Sequence, residues 1–182
     1  MASHAQEQLT PRAREIVDAA REILEHEGLD ALSMRRIADR LGIRAPSIYK
    51  HLLDKQALES ALISAGFEEQ AERFEAAVRD ADDSEPLAAI GEAYRDFAAE
   101  HPHLYRLMTE RPLDRSQLTP GVEQRANAPL LEAVGGDEER ASAARAFAHG
   151  MISLEHSGRL AEGTDLDAAW RLGISALAAT GD

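Results

Sequence analysis

Apolar positions recur three and four residues apart along almost the whole chain, the spacing of one helix face. Thr10-Pro11 reads as an N-cap with proline at the first helical position. The segment to His26 then sets Ile16, Val17, Ala20, Ile23 and Leu24 on one side, and Gly28 ends it. Ser33 caps a second helix with Met34, Ile37, Ala38 and Leu41 inward, and Gly42 stops it. A short third helix over 45–52 tolerates Pro46 in its first turn. Asp54 caps a long fourth, whose apolar face holds Leu58, Leu62, Ala65, Phe67, Ala71, Phe74 and Val78.

The run DADDSEP breaks this pattern as a linker, and Ser84 and Pro86 restart a helix with Leu87, Ile90, Tyr94 and Phe97. HPHLYRLMTERP is a short amphipathic piece between prolines. Thr119-Pro120 opens another helix that closes at Val134-Gly135-Gly136. Two more follow: residues 138–161, and residues 165–179 behind a capping box of Thr164 and Asp167. β-Branched residues are scarce and no period-two alternation persists. The pattern predicts an all-α chain of about nine helices.

Composition narrows the class. With 182 residues, 44% hydrophobic and 29% charged, the chain can bury a core as a soluble globular protein. It has no cysteine, which excludes disulfides and thiolate metal sites and fits a reducing compartment. No run of about 18 apolar residues is present for a membrane span, and MASHAQEQLTPR lacks the apolar block of a signal peptide. A cytoplasmic protein with no membrane partner is expected.

Charge changes the picture more. Residues 1–58 hold 9 Lys+Arg against 9 Asp+Glu, whereas residues 59–182 hold 11 against 24, the whole net charge of −13. Within 33–55, six basic residues (Arg35, Arg36, Arg40, Arg44, Lys50, Lys55) face only Asp39 and Asp54. A basic end on an acidic body can bind a polyanion through that end.

Two short helices broken at a glycine outline a helix-turn-helix. Ala38 is small where the helices approach, Gly42 suits a positive φ, and Ile37, Leu41, Ile43 and Ile48 form the inner contact. The outward face of the second helix is Arg44, Ala45, Ser47, Tyr49, Lys50 and His51, which offers donors for phosphates and base edges. Helix-glycine-helix alone also fits an ordinary helical hairpin. The small residue, the glycine, the apolar spacing and the cationic face together favour DNA.

The stretch AREIVDAAREILEHEGLDALSMRRIADRLGIRAPSIYKHLLDKQAL resembles the DNA-binding domain of the TetR family of bacterial transcriptional repressors. The glycine ending the first helix, IADRLGI, SIYKHL and DKQAL carry the likeness, over about the first third of the chain. The resemblance implies that Ser33 and Arg35 touch backbone phosphate and that Arg44, Ala45, Pro46 and Ser47 enter the major groove. Tyr49 and His51 would contact phosphates, Lys50 would face DNA, and Lys55 would clamp a phosphate at the start of the fourth helix. Leu53 departs from the family's usual small or polar residue, and Ala45 offers only a methyl contact.

The family dimerises through its last two helices, which implies an interface of Ala144, Phe147, Ala148, Met151, Ile152, Trp170, Gly173 and Leu177. FAHGMISLEHSGRL is similar in part to a C-terminal domain type named for a Trp-His-Gly signature, with Phe147 near His149-Gly150. That likeness implies a ligand pocket, for which Phe97, Tyr105, Leu107, Met108 and His149 are candidates. Domains of 1–56 for DNA binding and 57–182 for ligand binding and dimerisation follow.

Catalysis and metals find less support. His101 and His103 straddle Pro102, and His149 and His156 lie two turns apart, but nothing in the sequence joins the two pairs into a ligand set. No nucleophile elbow and no glycine-rich phosphate loop occur. No cofactor and no enzyme activity are expected. The reading is a homodimeric repressor on a palindromic double-stranded DNA operator, released by a small-molecule inducer. The alternative is a helical small-molecule carrier or interaction module that does not bind DNA.

Overall fold

The Thr10 hydroxyl accepts the Ala13 N–H at 3.2 Å and Pro11 follows at the first helical position, so the first helix starts where its cap dictates. The structure, a computed structural model, describes residues 9–81 and 85–178. Among them are nine α-helices, two single 3-10 turns and no strand. The helices are α1 (Pro11–Glu27), α2 (Met34–Leu41), α3 (Ala45–Ile48), α4 (Lys55–Asp80) and α5 (Pro86–Glu100). They continue with α6 (Pro102–Thr109), α7 (Val122–Ala133), α8 (Glu138–His156) and α9 (Leu166–Ala178). Of the predicted linker and its Ser84 cap, residues 82–84 lie outside the described residues.

The chain packs as two units, one of the residues up to Glu68 with His101–Glu123, the other of Glu69–Glu100 with the residues from Gln124 on. In the first, Ile16, Ala20, Ile23, Leu24, Leu32, Ile37, Ile48, Leu58, Leu62, Leu104 and Leu107 are almost wholly buried. Each buried leucine or isoleucine among them contributes about 2 kcal/mol of transfer free energy. A Cβ on Gly66 would lie 2.5 Å from Met108 Sδ, so α4 and α6 approach closely there. The Ser64 hydroxyl donates to the Ser60 carbonyl at 2.9 Å and accepts the Thr119 N–H at 3.0 Å.

In the second unit, Phe74 meets Tyr94 edge-on at 5.7 Å and Phe97 is fully buried under the Arg73 guanidinium. Arg95 joins α5 to α8 and α9 by donating to Glu155 (3.0 Å) and Asp167 (2.9 Å). It also lies over the Trp170 ring, whose N–H donates to Glu155. The bond to Asp167 is the main cause that raises the Arg95 pKa above its ordinary value.

Four boundaries differ from the sequence reading, each for a local reason. The third helix keeps α-geometry only over Ala45–Ile48. After that the Ile48 carbonyl is shared by the His51 and Leu52 N–H groups, and the chain tightens into a turn. Helix α7 starts at Val122, since Gly121 sits at φ +80. Helix α8 ends at His156, before Gly158 at φ +62. The expected Thr164–Asp167 capping box does not form. Asp165 accepts the Ala168 N–H at 2.9 Å, the Thr164 hydroxyl donates back to the Ala161 carbonyl, and Asp167 pairs with Arg95.

Candidate nucleic-acid interface

The Ser33 hydroxyl accepts the Arg36 N–H at 3.2 Å and starts α2. Gly42 ends it at φ +65, ψ +30. The Ile43 N–H then reaches back to the Ala38 carbonyl at 2.9 Å, the crossed bonding of a left-handed helix stop. Ala38 is 2% exposed and Ile48 is wholly buried, so the two short helices share a packed inner side. Leu41 and Ile43 are only half-buried at its edge.

What remains outside is the face read from the sequence. Arg44 occupies the N-cap position of α3, where its donor-only guanidinium cannot cap the helix, and it stands exposed to solvent. Pro46, Tyr49, Lys50, His51 and Lys55 are exposed, Ala45 and Ser47 are half-buried, and Ser33 and Arg35 are exposed at the start of α2. Leu53 is 85% exposed beside them.

The six cations of this region do not behave alike. Arg36 donates from Nε and Nη2 to the two oxygens of Glu27 on α1, at 3.2 and 2.9 Å. That bond lowers the Glu27 pKa and raises that of Arg36. Arg40 pairs with Glu22, also on α1. Lys55 lies 3.7 Å from Glu59. Arg35, Arg44 and Lys50 have no ion-pair partner among the described residues. The sequence showed six positive charges; pairing separates those that brace α2 against α1 from those that face outward.

The other candidate residues are scattered. Phe97 and His149 belong to the second unit; Tyr105, Leu107 and Met108, all buried, belong to the first. Leu107 lines a cleft of about 570 Å³ in the first unit, with Lys55, Glu59, Ser60 and Arg111. A cleft of about 600 Å³ in the second unit is lined by Arg95, Ile152, Leu154, Glu155, His156 and Leu166 among others, none of them a predicted pocket residue. Ala144, Ala148, Ile152 and Trp170 are buried within the second unit, while Phe147, Met151, Gly173 and Leu177 are half-buried. Leu154 (39%) and Leu172 (75%) are the exposed large apolar side chains of α8 and α9, and neither is among the interface residues expected from the sequence.

His101 Nδ1 stands 3.2 Å from Glu25 Oε1 in the first unit, whereas His149 and His156 are in the second. No group of three or more His, Cys, Asp or Glu among the described residues is arranged to hold a metal ion. No described helix is long and apolar enough to cross a membrane.

Residues 16–62 match the model of bacterial regulatory proteins of the tetR family, and residues 87–177 match a tetracyclin repressor-like C-terminal domain. An uncharacterised HTH-type transcriptional regulator of Mycobacterium tuberculosis is 31% identical over 175 residues, covering 90% of this chain and 78% of that protein. Another, from Bacillus subtilis, is 31% identical over 90 residues, so this chain spans about half of that relative's length (47%) and half of its own (50%). A solved structure of a Rhodococcus protein of unknown function superposes with a TM-score of 0.73 at 27% identity, over 98% of this chain and 97% of that one.

Proposed function

Because the chain belongs to the tetR family of bacterial regulatory proteins, we propose that it binds a two-fold symmetric DNA operator as a homodimer and leaves it when a small-molecule inducer binds. Members of this family are DNA-binding transcriptional regulators and not enzymes, and that class extends to this chain. The observation that carries the DNA half is the asymmetry of pairing around the turn. Arg36 and Arg40 are neutralised by α1, while Arg35, Arg44 and Lys50 stay exposed without a carboxylate on a chain of net charge −13.

In this reading residues 1–56 bind DNA. Arg44, Ala45, Pro46 and Ser47 enter the major groove, where Arg44 addresses a base edge. Ser33, Arg35, Tyr49, Lys50, His51 and Lys55 hold phosphates on either side. Residues 57–182 bind the inducer and form the dimer. Leu154 and Leu172 supply apolar surface for a four-helix contact between α8 and α9 of two copies, with the half-buried Phe147, Met151, Gly173 and Leu177 beside them. Two recognition helices then face half-sites a helical turn or more apart.

A gel shift on the DNA upstream of the gene encoding this chain tests the proposal. A shift that weakens steeply with salt is expected. Lys50→Ala and Tyr49→Ala should each weaken it while dimer mass and melting temperature stay unchanged. A folded dimer that shifts no DNA at low salt would leave the carrier reading instead. A thermal-shift screen of a ligand library tests the inducer half, with stabilisation by a hit that also releases the DNA.

A further inference from the structure

Lys55 opens α4, where the Asp54 carboxylate already accepts the Ala57 N–H at 2.8 Å, so the Lys55 ammonium is the main group there that would meet a phosphate. A carboxylate competes for that ammonium. Lys55 Nζ lies 3.7 Å from Glu59 Oε1, one turn on, and the Glu59 side chain is only 15% exposed. A lysine four residues before a glutamate is the weaker order for a helical pair, so the ammonium is held loosely. Left uncompensated, Glu59 would still draw Lys55 away from DNA.

The compensation comes from outside the helix. Arg111, two residues beyond α6, donates from Nη1 to Glu59 Oε2 at 2.8 Å, a closer and better-formed contact than that of Lys55. The segment carrying Arg111 is anchored. Asp114 accepts the Ser116 N–H (3.1 Å), the Ser116 hydroxyl (2.6 Å) and Gln117 Nε2 (3.0 Å). Gln56, next to Lys55, reaches the same carboxylate at 3.4 Å. Lys55, Glu59 and Arg111 all line the first unit's cleft.

We infer that Arg111 is a positioning residue for DNA binding: by bonding Glu59 Oε2 it offsets the carboxylate's charge, weakens the hold of Oε1 on Lys55 and so leaves Lys55 able to turn to a phosphate. Arg111 meets no DNA in this arrangement. The inference rests on the DNA-binding reading above and adds to it a residue far from the recognition helix in sequence.

The test uses the tightest duplex that the full-length wild-type protein selects from a random-sequence pool. Affinity is measured over a salt series for Arg111→Gln, Glu59→Gln and the double variant, with thermal melts beside them. Arg111→Gln should weaken binding about threefold per protomer, or about tenfold for a dimer, and lower the salt slope by about two. Glu59→Gln should bind at least as tightly as wild type, and adding Arg111→Gln to it should change affinity less than about twofold. Equal losses in both backgrounds would mean that Arg111 touches DNA itself and would overturn the inference; so would no loss from Arg111→Gln. Should Arg111→Gln not fold, Glu59→Gln decides alone, since weaker binding by that variant contradicts any competition for Lys55. A wild-type protein that selects no duplex brings down the DNA-binding reading, and the inference with it.

Discussion

At Gly42 nothing lies within 4 Å of the place a Cβ would take, yet φ is +65. The demand for glycine is therefore conformational and owes nothing to space. Gly42→Ala should cost about 1–2 kcal/mol in urea unfolding and weaken DNA binding further if the turn opens to relieve the strain. Glu27 is a second informative position, because its bond from Arg36 lowers its folded pKa. The contribution of that pair is present above the unfolded carboxylate pKa and is lost as pH falls through the folded value. Stability of wild type should thus converge with that of Glu27→Gln as pH falls from neutral through and below the ordinary carboxylate range. A gap that stays constant across the range would show that Glu27 acts by packing alone.

Helix pairs differ in how tightly a glycine lets them meet. A Cβ on Gly173 of α9 would run into the end of the Phe147 ring, which also packs edge-on against Trp170 at 5.6 Å. A Cβ on Gly66 of α4 meets the thioether of Met108 instead. A methionine can swing its end aside, whereas a ring must move as a plate. Gly173→Ala should therefore cost about 1–3 kcal/mol and Gly66→Ala less, compared by thermal melting. Trp170 is the single tryptophan, so its fluorescence should change in Gly173→Ala and stay put in Gly66→Ala. Changing Phe147 to leucine in the Gly173→Ala background should recover part of the loss.

Assembly and charge act across the chain as a sum. Residues 59–182 carry the entire excess of acid, while the end that would meet DNA is balanced overall and basic at its turn. Such a distribution favours a polyanion at the basic turn over the acidic remainder of the chain. If α8 and α9 carry the dimer contact, Leu172→Asp should leave helix content and melting close to wild type, since Leu172 is 75% exposed. Light scattering should then report a monomer, with operator affinity reduced because two half-sites are no longer held together. A dimer that survives this change would place the contact elsewhere.

Much of the fold was legible along the chain, because caps and stops are local events. Thr10, Ser33 and Asp54 each bond an N–H three residues on, and Gly28 and Gly42 end helices by their own backbone freedom. Periodicity likewise picked out Ile16, Ile23, Leu24, Ile37 and Ile48 for the core, because a stripe at 3.6-residue spacing must be covered by something. Competition between neighbouring caps was harder to read: Asp165 displaced Thr164 and Asp167, which differ from it by one and two positions.

Only the tertiary structure decided which charges were left over. Arg36 with Glu27, Arg40 with Glu22 and Arg111 with Glu59 are separated by 9, 18 and 52 residues, beyond any helical spacing. It also decided that Ala144, Ala148, Ile152 and Trp170 are buried in the chain itself while Leu154 and Leu172 stand outside. The physical reason is common to both. A helix's own period says that one face is apolar and that its cations project outward, but a partner's identity depends on which remote element the fold brings within bonding distance.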